Sequence, residues 1–102
     1  MTPLLCMATA LSLAAAGAAQ AQDANLGRNL AATCANCHGT NGQARGDTVK
    51  PLAAMTAEQI VTSFNAFKSG ALPATIMNQI AKGYSDEQIR AIAGYFASQA
   101  KK

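Results

Sequence analysis

The sequence predicts an all-α fold. Apolar residues recur three or four positions apart in its second half, as on one face of a helix, and no segment shows the alternation typical of a strand. Two of the apolar segments open with Thr or Ser followed three residues later by Gln, which is the spacing of a helix capping box. Half of the 102 residues are hydrophobic and 13% are charged, as expected for a folded chain.

The chain begins with an uncharged segment, residues 1–22, that ends in Ala19-Gln20-Ala21. This pattern predicts a secretory signal peptide over residues 1–21, cleaved near Ala21, and a single domain over residues 22–102. An uncleaved membrane anchor is the alternative. Small and weakly apolar residues dominate the second half of the segment, so we expect no stable membrane insertion and place the domain in the periplasm.

Composition limits the function of the predicted domain. Eight basic and five acidic residues give a net charge of +3 that is small and scattered along the chain, so we expect no nucleic-acid partner. There are five aromatic residues and no Trp. A chain of this size with so little core material requires an additional stabilising element such as a cofactor.

A short first helix is expected over Asn25–Ala32, where Gly27 would let another helix approach closely. Residues 38–54 are rich in Gly, Asn, Thr, Asp and Pro and predict a loop. A helix then begins after Thr56 and ends at Gly70. Its predicted buried face consists of Ile60, Phe64 and Phe67.

Two further helices complete the expected fold. A short one is predicted to begin with Pro73 at its first position and to end at Gly83. The last helix begins after Ser85, with Gln88 as its capping-box partner. The apolar residues of the short helix are Ile76, Met77 and Ile80, and the buried stripe of the last helix is Ile89, Ile92, Ala93 and Phe96.

The run Cys34-Ala35-Asn36-Cys37-His38 is the attachment signature of c-type haem. Two thiols three positions apart on a helical turn lie on one side and can add to the two vinyl groups of one porphyrin. The adjacent His38 then points its imidazole at the iron. A covalently held haem c would also supply the apolar core that the chain lacks.

Three other interpretations of the cysteine pair are less favoured. A thioredoxin-like redox pair requires a strand before the helix, and none is predicted. A zinc site requires two more ligands, but residues 22–102 contain one His and no other Cys. A structural disulfide across so short a loop leaves His38 unexplained.

The second axial ligand of such a haem would be a methionine, because the chain has no second His. Met55 and Met77 are the two candidates in the predicted domain. Met77 is favoured because enough chain separates it from His38 to reach the opposite face of the haem. Met55 and an open site are the alternatives. A thioether ligand raises the reduction potential, and a filled sixth position leaves the iron to transfer electrons.

The run from Cys34 to Gly42, the turn Lys68-Ser69-Gly70 and the stretches 75–89 and 93–97 resemble a small bacterial class I cytochrome c, most nearly the cytochrome subunit of flavocytochrome c sulfide dehydrogenase. The resemblance implies the class I cytochrome c fold, with short helices wrapped around one covalent haem. It also implies that the first helix crosses the last near Gly27 and Tyr95/Phe96. The site residues it implies are Cys34 and Cys37 as haem thioethers, with His38 and Met77 as axial ligands.

One stretch departs from the family pattern. The family usually places a Pro before a short hydrophobic-Ala-Gly run on the His side of the haem. Here the run is Lys50-Pro51-Leu52-Ala53-Ala54, with Pro51 shifted by one position and Ala54 where Gly is common. The sequence therefore leaves open which residue accepts the hydrogen bond from the His38 ring.

Three functions follow as hypotheses. The chain would be the cytochrome subunit that takes electrons from an FAD-containing, sulfide-oxidising flavoprotein and passes them to another cytochrome or an oxidase. Alternatively, it would be a free diffusible electron carrier to a terminal oxidase or other redox complex. A third possibility, gas sensing, requires that Met77 does not bind the iron. The sequence offers no catalytic residues of its own, so substrate oxidation is expected to belong to a partner.

Overall fold

The computed structural model describes residues 25–99. The predicted signal peptide, residues 1–21, lies outside the described residues. The described chain is helical and contains no strand, which confirms the all-α fold. Its elements are α1 (Leu26–Ala31), a 3₁₀ turn (Ala32–Cys34), α2 (Ala35–His38), a second 3₁₀ turn (Thr40–Gly42), α3 (Ala57–Ser69), α4 (Met77–Lys82) and α5 (Asp86–Ala97). None of the described helices combines the length and the hydropathy needed to cross a membrane.

The two longest helices begin at the predicted capping boxes. The Thr56 hydroxyl accepts from the Gln59 amide at 3.1 Å, and the Gln59 side chain accepts from the Thr56 amide at 3.1 Å. Ser85 and Gln88 repeat the arrangement at the start of α5, with distances of 2.9 and 3.2 Å. Each box satisfies backbone N–H groups that the first helical turn otherwise leaves without partners.

The crossing of α1 and α5 depends on Gly27, as predicted. A Cβ atom at this position would collide with the carbonyl oxygen of Ala91 and lie 3.2 Å from the Cβ of Tyr95. Only a residue without a side chain allows the two helices to approach this closely. The terminal helices are thereby joined on one side of the molecule.

The core forms where α5 packs against α1 and α3. The predicted stripe of α5 is fully buried, with exposures of 2% or less. Ile60 and Phe64 of α3 are buried beside it, while Phe67 is half-buried and packs against the same cluster. The buried hydrophobic residues of the described chain are Ala31, Ala53, Ile60, Phe64, Ala81, Ile89, Ile92, Ala93 and Phe96.

The connection between α3 and α4 corrects one prediction. Gly70 ends α3 in the left-handed conformation as expected, with φ of 83°. Pro73 does not begin the next helix, which starts only at Met77. The side chain of Asn78 holds the preceding segment instead, because it accepts from the Ala74 amide at 3.0 Å and donates to backbone carbonyls further back. These side-chain bonds take the place of helical backbone bonds.

Candidate haem-binding site

A cavity of about 650 Å³ lies beside the core and opens to the surface. Its wall comes from the first 3₁₀ turn, from α2, α3 and α4, from the loop between Gly42 and α3, and from the segments that flank α4. Its volume lies within the range of about 300–1,000 Å³ typical of ligand sites. The lining residues are Thr33, Cys34, Cys37, His38, Thr48, Val49, Lys50, Leu52, Met55, Ile60, Ser63, Phe64, Phe67, Leu72, Ile76, Met77, Ile80 and Tyr84. The wall is predominantly apolar, and all four predicted site residues belong to it.

The two cysteines lie on successive short turns at one end of the cavity. Cys34 ends the first 3₁₀ turn and is half-buried, whereas Cys37 lies in α2 and is exposed. Both are free thiols. Burial raises the pKa of the Cys34 thiol above its ordinary value of 9.0, and hydrogen bonding to Thr33 opposes this effect. Burial thus favours the neutral thiol at Cys34.

His38 ends α2 and is half-buried in the cavity wall. Its Nδ1 lies 2.7 Å from the carbonyl oxygen of Lys50. A carbonyl oxygen only accepts hydrogen bonds, so Nδ1 carries the proton and donates it. In the neutral imidazole with this tautomer, the lone pair lies on the other ring nitrogen, Nε2, which is the form that ligates a metal. The Lys50 carbonyl is therefore the acceptor that the sequence left open.

The loop that carries Lys50 is fixed by Gly42. The Gly42 carbonyl oxygen accepts from the amides of Leu52 and Ala53, at 3.0 and 3.1 Å. The Ala54 amide donates to the carbonyl oxygen of Phe96 in α5 at 3.2 Å. Gly42 is buried with φ of 75°, and a Cβ there would lie 2.7 Å from the Ala53 nitrogen. Glycine at position 42 thus allows the loop that carries Lys50 to pack against it, beside His38.

Both candidate methionines lie in the cavity wall. Met77 is the first residue of α4, and Met55 precedes the Thr56 cap of α3. Both are half-buried and pack against the core cluster. The structure therefore brings Cys34, Cys37, His38 and Met77 to one cavity, and it places Met55 there as well.

Tyr84 is a lining residue that the sequence patterns did not identify as part of the site. Its hydroxyl shares a hydrogen bond of 3.2 Å with the Thr33 hydroxyl, and its ring meets Phe64 edge-on at 6.1 Å between centroids. Its carbonyl oxygen accepts from the Lys68 ammonium group at 2.7 Å. Tyr84 thus connects α3 with the residue that precedes the first cysteine.

The donor set fits a covalently attached haem better than the alternatives. The cavity presents two free thiols, an imidazole held at Nδ1 by a backbone carbonyl, and two thioethers among apolar side chains. Residues 25–99 contain no strand for a thioredoxin-like pair. Nor does this part of the chain contain a group of three or more His, Cys, Asp or Glu side chains able to hold a metal ion. Within the described residues, the zinc and thioredoxin hypotheses therefore lack the structural elements they require.

Comparison with known proteins agrees with the geometry. The profile of the family described as cytochrome C oxidase, cbb3-type, subunit III matches residues 21–96. The cytochrome subunit of sulfide dehydrogenase from Chlorobaculum tepidum is 38% identical over 74% of this chain and 68% of its own length. Cytochrome c-554(548) from Halomonas halodenitrificans is 37% identical over 78% of this chain and 99% of its own.

A third relative has a different redox role. The thiosulfate dehydrogenase electron acceptor of Stutzerimonas stutzeri is 35% identical over 68% of this chain, but the match covers only 33% of that longer protein. The family match extends over most of the chain and includes both cysteines, His38 and Met77. The chain belongs to the cytochrome c family, which transfers electrons and carries covalently bound haem c.

Proposed function

We propose that this protein is a periplasmic monohaem cytochrome that serves as the electron-accepting subunit of a sulfide-oxidising flavoprotein. The observation that carries the proposal is the convergence of both thiols, the His38 imidazole and the Met77 thioether on one apolar cavity. A haem bound there would supply reversible one-electron oxidation and reduction. The partner would contain FAD and would oxidise the substrate.

Each residue has a separate role in this proposal. Cys34 and Cys37 hold the haem through thioether bonds, and His38 and Met77 bind the iron. The hydrogen bond from His38 to the Lys50 carbonyl supports the assignment, because it fixes the imidazole tautomer and its orientation. Met77 is preferred to Met55 because it lies at the start of a helix, in a segment held by several hydrogen bonds.

The edge of the cavity supports electron exchange with a partner. Leu72 and Ile76 line the cavity and yet are 40% and 56% exposed, and Cys37 is exposed beside the same cavity. No charged residue occurs between Lys68 and Lys82. An uncharged apolar edge of this kind permits close approach of another protein without desolvating charges. The electrons would leave to another cytochrome or to an oxidase.

The signal peptide over residues 1–21 remains part of the proposal, since c-type haem attachment at Cys34 and Cys37 would follow export. The sulfide-oxidising partner is supported by the relative from Chlorobaculum tepidum, whose name assigns it to sulfide dehydrogenase. The match spans 99% of cytochrome c-554(548) from Halomonas halodenitrificans, whose name assigns it to no enzyme complex, and this favours the second candidate, a free diffusible electron carrier. The two candidates differ in whether a stable complex with a flavoprotein exists.

Purification of the tagged protein from its native periplasm separates the two candidates. The subunit hypothesis predicts that an FAD protein copurifies in fixed ratio and that sulfide then reduces the haem of the complex. A protein that purifies alone, with a haem that is not reduced by sulfide when the flavoprotein is added, would contradict this hypothesis and favour the free carrier.

Met77→Ala tests the axial ligand. We expect loss of the sulfur-to-iron charge-transfer band of the oxidised protein, and an unchanged spectrum would refute the assignment. The same substitution at Met55 is the matched control and is expected to leave that band in place.

A further inference from the structure

The Asn78 side chain makes three hydrogen bonds in the connection between α3 and α4. Its Oδ1 accepts from the Ala74 amide at 3.0 Å, and its Nδ2 donates to the carbonyl oxygens of Phe67 and Leu72, both at 2.9 Å. A single half-buried amide thereby joins the last turn of α3, the following loop and the first turn of α4. An amide is required, because the arrangement uses one acceptor and two donors.

The segment held by Asn78 has little regular backbone structure of its own. Residues 70–76 contain no helix. At the start of the segment the Gly70 amide donates to Phe67 at 3.2 Å and the Leu72 amide to Ala66 at 3.1 Å, and at its end the Ile76 carbonyl accepts from the first turn of α4 at 3.0 and 3.2 Å. All seven residues of this segment are exposed. Hydrophobic packing therefore contributes little to its position, and the Asn78 bonds restrain its second half together with the backbone bonds at Ile76.

The same segment leads directly into Met77, which adjoins Asn78 in sequence. We propose that Asn78 is a positioning residue for the Met77 thioether: it fixes the start of α4 and thereby holds the sulfur in the cavity. The inference rests on the proposed function, since it assumes that Met77 is the axial ligand. Asn78 itself does not line the cavity, so it would act on the iron ligand only through its neighbour Met77.

Competition by imidazole measures how firmly the thioether is held. The holoprotein is oxidised and titrated with imidazole. Imidazole binding is followed in every variant by the shift of the main haem absorption band, and loss of the sulfur-to-iron charge-transfer band shows that Met77 has been displaced. Asn78→Ala removes all three hydrogen bonds, so we expect imidazole to bind about tenfold more tightly than to the wild type. Asn78→Asp keeps the acceptor for Ala74 but offers no donor to the two carbonyls, and we expect an effect at least as large.

Two control variants separate positioning from general stability. Gln79 is the next residue of α4 and is exposed, so Gln79→Ala should change the affinity for imidazole by less than about twofold. Gly27→Ala destabilises the protein at the crossing of α1 and α5, away from the cavity wall, and should lower the unfolding temperature without changing that affinity. A purely structural role for Asn78 would make its variants behave like Gly27→Ala.

Each result supports or overturns the inference. Wild-type affinity for imidazole in both Asn78 variants, beside much tighter binding in Met77→Ala, would overturn the role of Asn78 and leave the ligand assignment standing. Wild-type affinity in Met77→Ala would overturn the ligand assignment, and this inference with it. If Asn78→Ala yields no holoprotein, Asn78→Asp supplies the same comparison.

Discussion

The two sides of the molecule are stabilised differently. At the crossing of α1 and α5, backbones approach closely at Gly27, and the stripe of α5 is fully buried by other parts of the chain. Around the cavity, short helices and loops present apolar side chains to a space of about 650 Å³, and Leu72 and Ile76 remain 40% and 56% exposed. The first region is complete without a cofactor. In the second region apolar side chains border an open cavity, and we expect them to pack against the haem.

Removal of both cysteine thiols should have the largest effect on stability, because it prevents covalent attachment of the haem on which the cavity side depends. Cys34→Ala combined with Cys37→Ala leaves the apolar wall without a covalently bound group to cover. We expect the loss of cooperative thermal unfolding, since a small domain has only about 5–15 kcal/mol of stability to lose. Circular dichroism melting measures this. A cooperative transition close to that of the wild type would show that the cavity side folds without attached haem.

A substitution at the other region tests its close packing. Gly27→Ala should lower the free energy of unfolding by about 1–3 kcal/mol, because the new methyl group collides with the Ala91 carbonyl. Gly94→Ala is the matched control: this glycine lies in α5, is exposed and has open space around it. There we expect a gain of about 0.5–1 kcal/mol from helix propensity. Denaturant titration of both variants gives the two values, and equal effects would contradict the proposed crossing.

Removal of the hydrogen bond between Tyr84 and Thr33 tests how much Tyr84 contributes by connecting α3 with the 3₁₀ turn that ends at Cys34. Tyr84→Phe should cost about 0.5–1.5 kcal/mol, the usual net contribution of one hydrogen bond. A double-mutant cycle with Thr33→Val isolates the pair from other contacts of each residue. Thermal denaturation of the four proteins should give a coupling of similar size. Additive effects would show that the two hydroxyls do not interact in solution.

The smallest expected effect is a stabilisation at Ala54. This residue has φ of 61°, in the left-handed region that disfavours a side chain. Ala54→Gly should therefore raise the free energy of unfolding by about 0.5–1 kcal/mol. Ala57→Gly, at an exposed position of α3, should lower it by up to about 1 kcal/mol. Destabilisation by both changes would contradict a strained backbone at Ala54.

Local sequence signals predicted the elements that depend on local interactions. The capping boxes at Thr56 and Ser85 and the stripe of α5 follow from residue spacing alone, and the structure confirms them. The close approach at Gly27 was likewise predictable, because a glycine inside a helix is costly unless another backbone needs the space. The cysteine–histidine run predicts a haem-attachment site, and its three reactive side chains line one cavity.

The remaining features depend on contacts between residues distant in the chain. The acceptor for His38 is the backbone carbonyl of Lys50, and a carbonyl carries no sequence signal. Pro73 has the local preference for a helix start, but Asn78 binds the Ala74 amide and moves that start to Met77. Tyr84 enters the cavity wall through a bond to Thr33, 51 positions away. Such contacts are set by tertiary packing and are invisible to local patterns.

Mass spectrometry of the purified protein tests the central claim most directly. Trypsin cleavage after Arg28 and Arg45 releases residues 29–45, which contain both cysteines and His38. Covalent attachment predicts that this peptide carries the mass of one haem and has no free thiol left to alkylate. A peptide of unmodified mass, with two alkylatable thiols or an internal disulfide, would contradict the haem site at Cys34 and Cys37.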